Sequence, residues 1–494
     1  MATRGARRRR RTVIAAALVG LGCAACGARL PGEVHQQAAA AALSPRHGGS
    51  VQQPAAGNGT PGAVAPTQLP TAGGGPTAPS GRGSAPAVDN GPTIGPSARS
   101  NEEAPTCSGG TDVGLTSTTL TLGEVVTLSG PVSGLFQGAV QGGEAFANFV
   151  NSTSGGICGR QVKVTIADDG TNCTQNENAT QSLAGRAFAL VGSFALYDGC
   201  GASIIRSRPE LADIHVALDP AADTPGNHFD ISSKEGGYGT GPFRYFKQKY
   251  GAKLDHVGTI VENIPSAVAK QKAQVRAAES QGWHFTDSIL EQPTNSNFIS
   301  DFQRLCGRDH ITAFFELTEP ASNAATMMQN ERQAGCPKDL LNIIPISYDQ
   351  AFISDYQGPK SDLDGIQGYN QYALFFNADE AAANPEVKLF QEWFRRTYGN
   401  QPMNLYAMFA WASDRLFQQA AEAVHGPLTR KALMASLRKI HSFSDGGLIA
   451  PTDPQAGGPH CYIVYQIRSG GFERVGGPKT GYRCDGRFLP APGS

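Results

Sequence analysis

Short apolar runs that alternate with helical segments constrain the fold of this sequence more than any other feature. The predicted strands are TLTLGEVV (119–126), QVKVTIAD (161–168), AFALVGS (187–193), IHVAL (214–218), HVGTIVE (256–262), ITAFFEL (311–317) and LLNIIPIS (340–347). The predicted helices are QGAVQGGEAFANFVN (137–151), SAVAKQKAQVRAAESQG (266–282), ASNAATMMQNERQAG (321–335), EVKLFQEWFRRTYG (386–399), NLYAMFAWASDRLFQQAAEAV (404–424) and LTRKALMASLRKIH (428–441). A predicted hairpin, CYIVYQI (461–467) and FERVG (472–476), follows them. Strands separated by helices imply βαβ units and an α/β fold with parallel sheets covered on both faces.

The length of the folded region indicates two lobes. Globular composition extends from Cys107 to Cys484, roughly 380 residues, which exceeds what one hydrophobic core usually supports. We therefore expect two doubly wound parallel-sheet lobes. In such sheets ligands bind outside the carboxyl ends of the strands, so the loops that follow the strands are the places to look for a site.

The N-terminal segment has the composition of an export signal. Six arginines, at position 4 and positions 7–11, precede an apolar run from Val13 to Gly22. That run is much shorter than the roughly 20 residues that span a bilayer. Residues 1–25 are therefore predicted to be a signal peptide, either a lipoprotein signal acylated at Cys23 or Cys26 or a plain secretory signal cut after Ala25. Export would place the protein at the outer face of the cytoplasmic membrane or outside the cell.

A Pro-, Gly-, Ala- and Ser-rich stretch follows at 27–105, and it lacks the apolar residues needed to bury a core. We interpret it as a disordered tether. The formal charge of the whole chain is −1, so that without the six signal arginines it is −7. This mildly acidic balance predicts no nucleic-acid partner.

Eight of the ten cysteines lie in the folded region: Cys107, Cys158, Cys173, Cys200, Cys306, Cys336, Cys461 and Cys484. An even number in an exported chain favours disulfides over metal or redox chemistry. The histidines downstream of residue 105 show no HxH, HExxH or HxxxH spacing. Neither a GxSxG nor a GxxxxGK[ST] motif occurs. We therefore predict no metal, no cofactor and no catalytic residues.

The stretch ADDGTNC (167–173) places two carboxylates near a thiol and is the strongest candidate for catalytic chemistry. Asp168 and Asp169 are adjacent at the end of a predicted strand, so their side chains point to opposite sides and do not share a substrate easily. The stretch TLSGPVSG (127–134) also lacks the GxGxxG turn that a ribose-binding acid would accompany. A strand end capped by turn-forming residues explains the stretch better.

The segment GEVVTLSGPVSGLFQGAVQGGEAFANFVNSTSGGICGRQVKVTIADDG (123–170) resembles the opening of the type I periplasmic binding proteins, branched-chain amino-acid (Leu/Ile/Val)-binding subfamily. DPAADTPG (219–226), FRRTYGNQPMNLYAMFAWASDRLFQQAAEAV (394–424) and GGLIAPTDPQAGG (446–458) are similar to later segments of that family. The resemblance covers nearly all of 116–478. It implies a lipid-anchored, monomeric receptor of an ABC transporter, with a small-molecule ligand between two lobes and a membrane permease as partner.

The family fold has two lobes joined by three crossings, which map here to 116–231 with 365–441 and to 235–347 with 443–485. The family also commonly bridges the positions of Cys173 and Cys200. By proximity we then pair Cys306 with Cys336 and Cys461 with Cys484, which leaves Cys107 with Cys158. Eight cysteines allow 105 connectivities, so the last three pairs are working assignments.

The resemblance also supplies candidate ligand-binding residues in the loops after the strands: Phe136, Ser193, Tyr197, Asp219, Ala221, Asp223, Thr318, Glu319 and Tyr348. The sequence departs from the family where amino-acid binders carry a hydroxyl, because Asp223 stands there and would repel an α-carboxylate. We therefore expect a cationic or hydroxyl-rich ligand. The alternatives are an orphan sensor of the same fold and an exported two-lobe hydrolase.

Overall fold

A computed structural model describes residues 107–224, 226–232, 237–316, 318–456 and 461–490. The predicted signal peptide, Cys23, Cys26 and the predicted tether lie outside these residues. The strands are β1 Thr119–Val126, β2 Gln161–Asp168, β3 Ala189–Val191, β4 Asp213–Ile214, β5 His228–Phe229, β6 Gly237–Gly239, β7 Val257–Glu262, β8 Phe285–Glu291, β9 Ala313–Phe315, β10 Leu341–Ile343, β11 Gln367–Asn370, β12 Ile463–Arg468, β13 Gly471–Val475 and β14 Phe488–Pro490. The α-helices are α1 Gln137–Ser154, α2 Cys173–Ala184, α3 Asp198–Arg206, α4 Gly241–Tyr250, α5 Pro265–Glu279, α6 Ile299–Phe302, α7 Ala321–Gln333, α8 Gln350–Asp355, α9 Ala378–Ala383, α10 Pro385–Tyr398, α11 Leu405–Glu422 and α12 Arg430–Leu437.

The first lobe is built on a five-stranded sheet in the order β2-β1-β3-β4-β5. All neighbouring pairs in it are parallel. The late helices α10 and α11 return to this lobe and pack against α1. The ring of Trp411 on α11 meets Phe146 edge-on at 5.7 Å between centroids and stacks on Phe149 at 5.5 Å. The core of this lobe therefore joins helices that are about 260 residues apart in sequence.

The second lobe is built on a seven-stranded sheet in the order β13-β12-β11-β10-β9-β7-β8. The β12–β13 hairpin is antiparallel and adds to the parallel part through an antiparallel β11–β12 pair. The remaining neighbours are parallel. The α/β fold with two parallel-sheet lobes, predicted from the alternation of strands and helices, is confirmed.

One lobe boundary differs from the expectation. Strand β11 (367–370) pairs with β10 and β12 of the second sheet, so the chain returns to the first lobe after Asn370 rather than at residue 365. Glycine and polar residues dominate QGYN, and no apolar run marks it as a strand. A Cβ on Gly368 would lie 2.2 Å from the ring of Tyr465, which explains why this central position lacks a side chain.

The segments that cross between the lobes are hydrogen-bonded to one another. The Asp230 N–H donates to the Pro454 carbonyl at 2.9 Å, and the Ala450 N–H donates to the Gln371 carbonyl at 2.7 Å. Each bond joins two different crossings. We call the three described segments, at Asp230, at Gln371 and at 450–454, together the hinge.

Among the described residues there are four disulfides, Cys107–Cys158, Cys173–Cys200, Cys306–Cys336 and Cys461–Cys484, and they are the pairs expected from the sequence. The first lies beside the buried side chain of Arg160, whose guanidinium donates to the carbonyls of Gly109, Gly110, Thr116 and Cys158. The disulfide and this arginine together fix the segment that precedes β1. We call them the entry clamp.

Candidate ligand-binding cleft

A cleft of about 210 Å³ lies between the two lobes and receives side chains from both. Its lining includes, from the first lobe, Leu135, Phe136, Phe194, Leu196, Val216, Leu218, Leu405, Tyr406 and Phe409, and from the second lobe Glu262, Ile264, Ser266, Ala267, Lys270, Thr318, Glu319, Pro320, Pro345, Ile346, Tyr369 and Asn370. A cavity of roughly 150 Å³ holds benzene in an engineered protein. The cleft is therefore of a size for a small molecule.

The wall from the first lobe is aromatic. Phe136 directly precedes α1, Phe194 follows β3, and Tyr406 lies in the first turn of α11. The ring of Tyr406 meets Phe136 at 4.8 Å and Phe194 at 5.3 Å between centroids, both edge-on. Such a cluster offers an apolar surface to a ligand and few polar groups.

The wall from the second lobe carries two carboxyl groups, Glu262 at the end of β7 and Glu319 after β9. Glu262 is 3 % exposed, and among the described residues its carboxylate has no hydrogen-bond partner. Burial and the negative charge of Glu319 raise the pKa of Glu262 to about 8. Burial, partly offset by a hydrogen bond from Asn323 at 3.1 Å, raises the pKa of Glu319 to about 7. Near neutral pH these carboxyl groups are thus partly protonated and ready to release protons to solvent.

Acidic residues lie at or directly after the carboxyl ends of three neighbouring strands. Glu262 and Glu291 are the last residues of the neighbouring parallel strands β7 and β8, and Glu316 directly follows β9. The buried carboxylate of Glu316 accepts the backbone N–H groups of Thr318 and Glu319 and so shapes the loop that presents Glu319. Three adjacent strand ends therefore place carboxyl groups at this edge of the sheet.

The basic side chain in the described lining is Lys270 of α5. Its Nζ lies 5.8 Å from the ring centroid of Tyr238, within the range of a cation–π contact. Two carboxyl groups against one ammonium group leave an acidic excess in the described lining.

Of the residues predicted from the sequence, Phe136, Thr318 and Glu319 line the cleft. Ser193 and Tyr348 lie elsewhere. The Ser193 hydroxyl accepts the buried Val125 N–H at 3.1 Å, and the fully buried Tyr348 hydroxyl accepts the Phe376 N–H at 2.8 Å. Both side chains hold the interior of the protein together.

The remaining predicted residues do not line the cleft either. Tyr197 is half-buried directly before α3, Ala221 is exposed, and the Asp219 carboxylate accepts the Ala221 N–H at 2.8 Å. The Asp223 carboxylate lies 3.8 Å from Nε2 of His228. Asp223 is therefore not among the described residues that line the cleft.

Sequence reasoning missed Glu262, Phe194 and Tyr406. Glu262 ends a correctly predicted strand, and the rule that ligands lie beyond strand ends was sufficient to find it. Tyr406 carried no such signal, because it lies on a helix that is distant in sequence from the strands.

Asp168 and Asp169 lie outside the cleft lining and serve the loops around them. Asp168 accepts the N–H groups of Leu128 at 2.9 Å and Ser129 at 3.2 Å. Asp169 is buried and accepts the Thr127 hydroxyl at 2.7 Å. Their interpretation as the end of a strand is confirmed.

Within the described ranges, no helix combines the length and apolar character needed to cross a membrane.

The fold has counterparts among known proteins. The sequence profile described as "Periplasmic binding protein" matches residues 119–472. No protein with a curated description matches this sequence.

Three solved structures are similar at low sequence identity. A fatty acid ABC transporter substrate-binding protein from Thermomonospora curvata shares 16% identity, covers 76% of this chain and 95% of its own, and has a TM-score of 0.62. A branched-chain amino acid transporter substrate-binding protein from Streptococcus pneumoniae, solved with isoleucine, shares 16% identity. The match covers 72% of this chain and 99% of that protein, with a TM-score of 0.59. A solute-binding protein of an ABC transporter from R. palustris, solved with benzoate, shares 17% identity. The match covers 74% of this chain and 98% of that protein, with a TM-score of 0.59.

These likenesses establish a type I periplasmic binding protein fold, as the resemblance in the sequence implied. With a profile match over most of its folded region, this chain belongs to the periplasmic binding protein family.

Proposed function

We propose that the protein is an extracytoplasmic receptor of an ABC transporter that binds a small solute in the interlobe cleft and closes around it. The observation that carries the proposal is the cleft itself, whose walls come from two lobes joined by a hydrogen-bonded hinge. A ligand that touches both walls stabilises the closed arrangement, because only that arrangement gives it both sets of contacts.

The ligand class follows from the two walls. We propose a small molecule with an apolar or aromatic body and a cationic group. The body would pack against Phe136, Phe194 and Tyr406, and the cation would lie at Glu262 and Glu319. A buried carboxylate without a donor is costly, and an ammonium or guanidinium group supplies the missing hydrogen bonds and charge.

The site would need no cofactor and perform no reaction. At the cell surface the receptor would act as a monomer, held by a lipid on Cys23 or Cys26 or secreted, and would dock on a membrane permease. An orphan sensor of the same fold is the first alternative, and neighbouring genes for permease and ATPase subunits would decide against it. An exported hydrolase is the second, and turnover of the bound ligand would favour it.

The test identifies the natural ligand and measures charge preference. Mass spectrometry of molecules released from the purified protein should find one that carries a basic nitrogen. Calorimetry should then show that 2-phenylethylamine and larger arylalkyl amines bind more tightly than the alcohol and carboxylate of the same skeleton. Because a hydrogen bond to a charged group contributes about 1.5–3 kcal/mol, Glu262→Gln should weaken amine binding about 10–100-fold.

Glu279→Gln is the matched control, since Glu279 is an exposed acid of the same lobe. A released carboxylate or uncharged polyol, or equal binding of the three skeletons, would refute the cationic ligand and leave the receptor standing. Failure of every released or added molecule to bind in the cleft would refute the receptor.

A further inference from the structure

Two histidines and an aspartate lie together at the edge of the first sheet, away from the cleft lining. Asp213 of β4 pairs with His228 of β5, and His215 follows Asp213 by two residues on the same face of the strand. All three side chains are buried. Their spacing matches no short metal-binding motif in the sequence, because strand pairing brings His228 to the other two.

Their donor atoms converge. Oδ1 of Asp213 lies 3.1 Å from Nδ1 of His215, and Oδ2 of Asp213 lies 3.1 Å from Nδ1 of His228. One donor atom from each of the three residues falls within 4.8 Å of the others. Zinc bonds to nitrogen and carboxylate oxygen are about 2.0–2.2 Å long, so tetrahedral zinc ligands lie roughly 3.3 Å apart.

A second shell of carboxylates stands behind the imidazoles. Oδ2 of Asp198 lies 3.8 Å from Nε2 of His215, and Oδ1 of Asp223 lies 3.8 Å from Nε2 of His228. Histidines that bind metals usually present their second ring nitrogen to a carboxylate or carbonyl. Among the described residues, both Nε2 atoms are buried without a hydrogen-bond partner. Asp198 is itself fixed by the N–H groups of Leu218 at 2.7 Å and Asp219 at 3.0 Å.

The electrostatic environment attracts a cation. The carboxylates of Asp213, Asp198 and Asp223 all lie against the two imidazoles, at 3.1–3.8 Å from their ring nitrogens. A proton and a divalent ion would compete for these imidazoles, because ligating histidine must be neutral.

We propose that Asp213, His215 and His228 form a structural site for a divalent transition-metal ion, with zinc as the ion that this nitrogen and oxygen donor set fits best. Asp198 and Asp223 orient the two imidazoles. The ion joins β4 to β5, two strands that pair over only two residues each. It thereby strengthens the sheet edge immediately before the first crossing, where Asp230 bonds to Pro454.

The experiment measures metal content and affinity in the untagged full-length protein. Elemental mass spectrometry after growth with zinc should find about one zinc per chain. In calorimetry with zinc chloride, His228→Asn should lower affinity more than about 100-fold, since losing an orienting partner alone costs 10–100-fold. The asparagine amide can still donate to Asp213, which preserves the fold in the absence of metal. Asp198→Asn should lower zinc affinity about 10–100-fold, and affinity for the wild type should fall as pH decreases.

His441→Asn is the matched control, because His441 also contacts a carboxylate through Nδ1, that of Asp453 at 3.0 Å, but is exposed. This variant should keep full zinc binding. Zinc should also raise the melting temperature of the wild type and of His441→Asn, but not that of His228→Asn. Substoichiometric zinc with no thermal shift, or equal zinc affinity in His228→Asn and the wild type, would overturn the proposal. The cluster would then be only Asp213 hydrogen-bonded to His215 and His228.

Discussion

Glu262 illustrates how much a single residue contributes to the character of the cleft. The side chain is almost fully buried, and in the described part of the chain no donor reaches its carboxylate. Burial makes the charged form of this carboxyl group costly, and strongly shifted pKa values are concentrated at functional sites. The arrangement stores a local destabilisation that a suitable ligand would relieve.

This destabilisation predicts a pH dependence of stability. The pKa of Glu262 is about 8 in the folded protein, against an ordinary value of 4.5. Between these values the unfolded chain loses the proton while the folded protein keeps it, so stability falls as pH rises, by at most about 1.4 kcal/mol per pH unit. Glu262→Gln should therefore be more stable than the wild type at pH 8 and nearly equal to it at pH 4.5.

Denaturant unfolding of ligand-free protein at several pH values would measure this difference. Glu279→Gln should follow the wild type throughout. Parallel pH profiles for the wild type and Glu262→Gln would show that the carboxylate is solvated or paired in solution.

For single residues, the sequence shows which positions follow a strand but not which way their side chains point. Phe136, Thr318 and Glu319 were found because they follow strands. Ser193 also follows a strand, but its hydroxyl turns inward to the Val125 N–H. The direction of a loop side chain depends on hydrogen bonds that the one-dimensional pattern does not contain.

Among the secondary-structure elements, those with a strong apolar period were predicted and those without it were not. β1 and β2 were predicted with the boundaries that the structure has. β8 was not, because FTDSILE at the sheet edge mixes charged and apolar residues. β11 was not predicted either, because QGYN has no apolar run. Its Gly368 leaves room for the ring of Tyr465 from β12, so an apolar side chain could not stand there.

The Cys173–Cys200 disulfide joins the start of α2 to α3, and the loop between β3 and α3 contributes Phe194 and Leu196 to the cleft. Closing a 27-residue separation stabilises a protein by about 3–4 kcal/mol in the chain-entropy account. We expect the Cys173→Ala/Cys200→Ala variant to lose stability of this order. We also expect it to bind the cleft ligand more weakly, since one wall becomes less rigid.

Thermal unfolding and calorimetry with the ligand identified by mass spectrometry would measure both effects. The Cys461→Ala/Cys484→Ala variant is the control, because that disulfide lies outside the cleft lining and should leave affinity unchanged. Unaltered affinity in the Cys173→Ala/Cys200→Ala variant would show that the loop is held by its own packing.

For the whole molecule, the alternation of strands and helices was sufficient to predict two α/β lobes. The position of the hinge was less predictable, because the crossings are defined by pairing between distant segments such as Gln371 and Ala450. These backbone bonds join the crossings to one another.

Lobe closure is the corresponding prediction. Saturating ligand should lower the radius of gyration in solution X-ray scattering, because closure brings the aromatic and acidic walls together. The same ligand should leave the radius of Glu262→Gln/Glu319→Gln unchanged at a concentration that saturates only the wild type. An unchanged radius for the ligand-bound wild type would mean that the cleft binds without closing.

The entry clamp has a mechanical consequence. A covalent bond and four hydrogen bonds from Arg160 secure the chain to the first lobe before it reaches β1. Tension applied from the N-terminal side would be borne at the junction of α1 and β2, by a bond that does not yield to pulling. The clamp would thus shield the hinge and the second lobe from load, and the lobes could open and close while the chain is under strain.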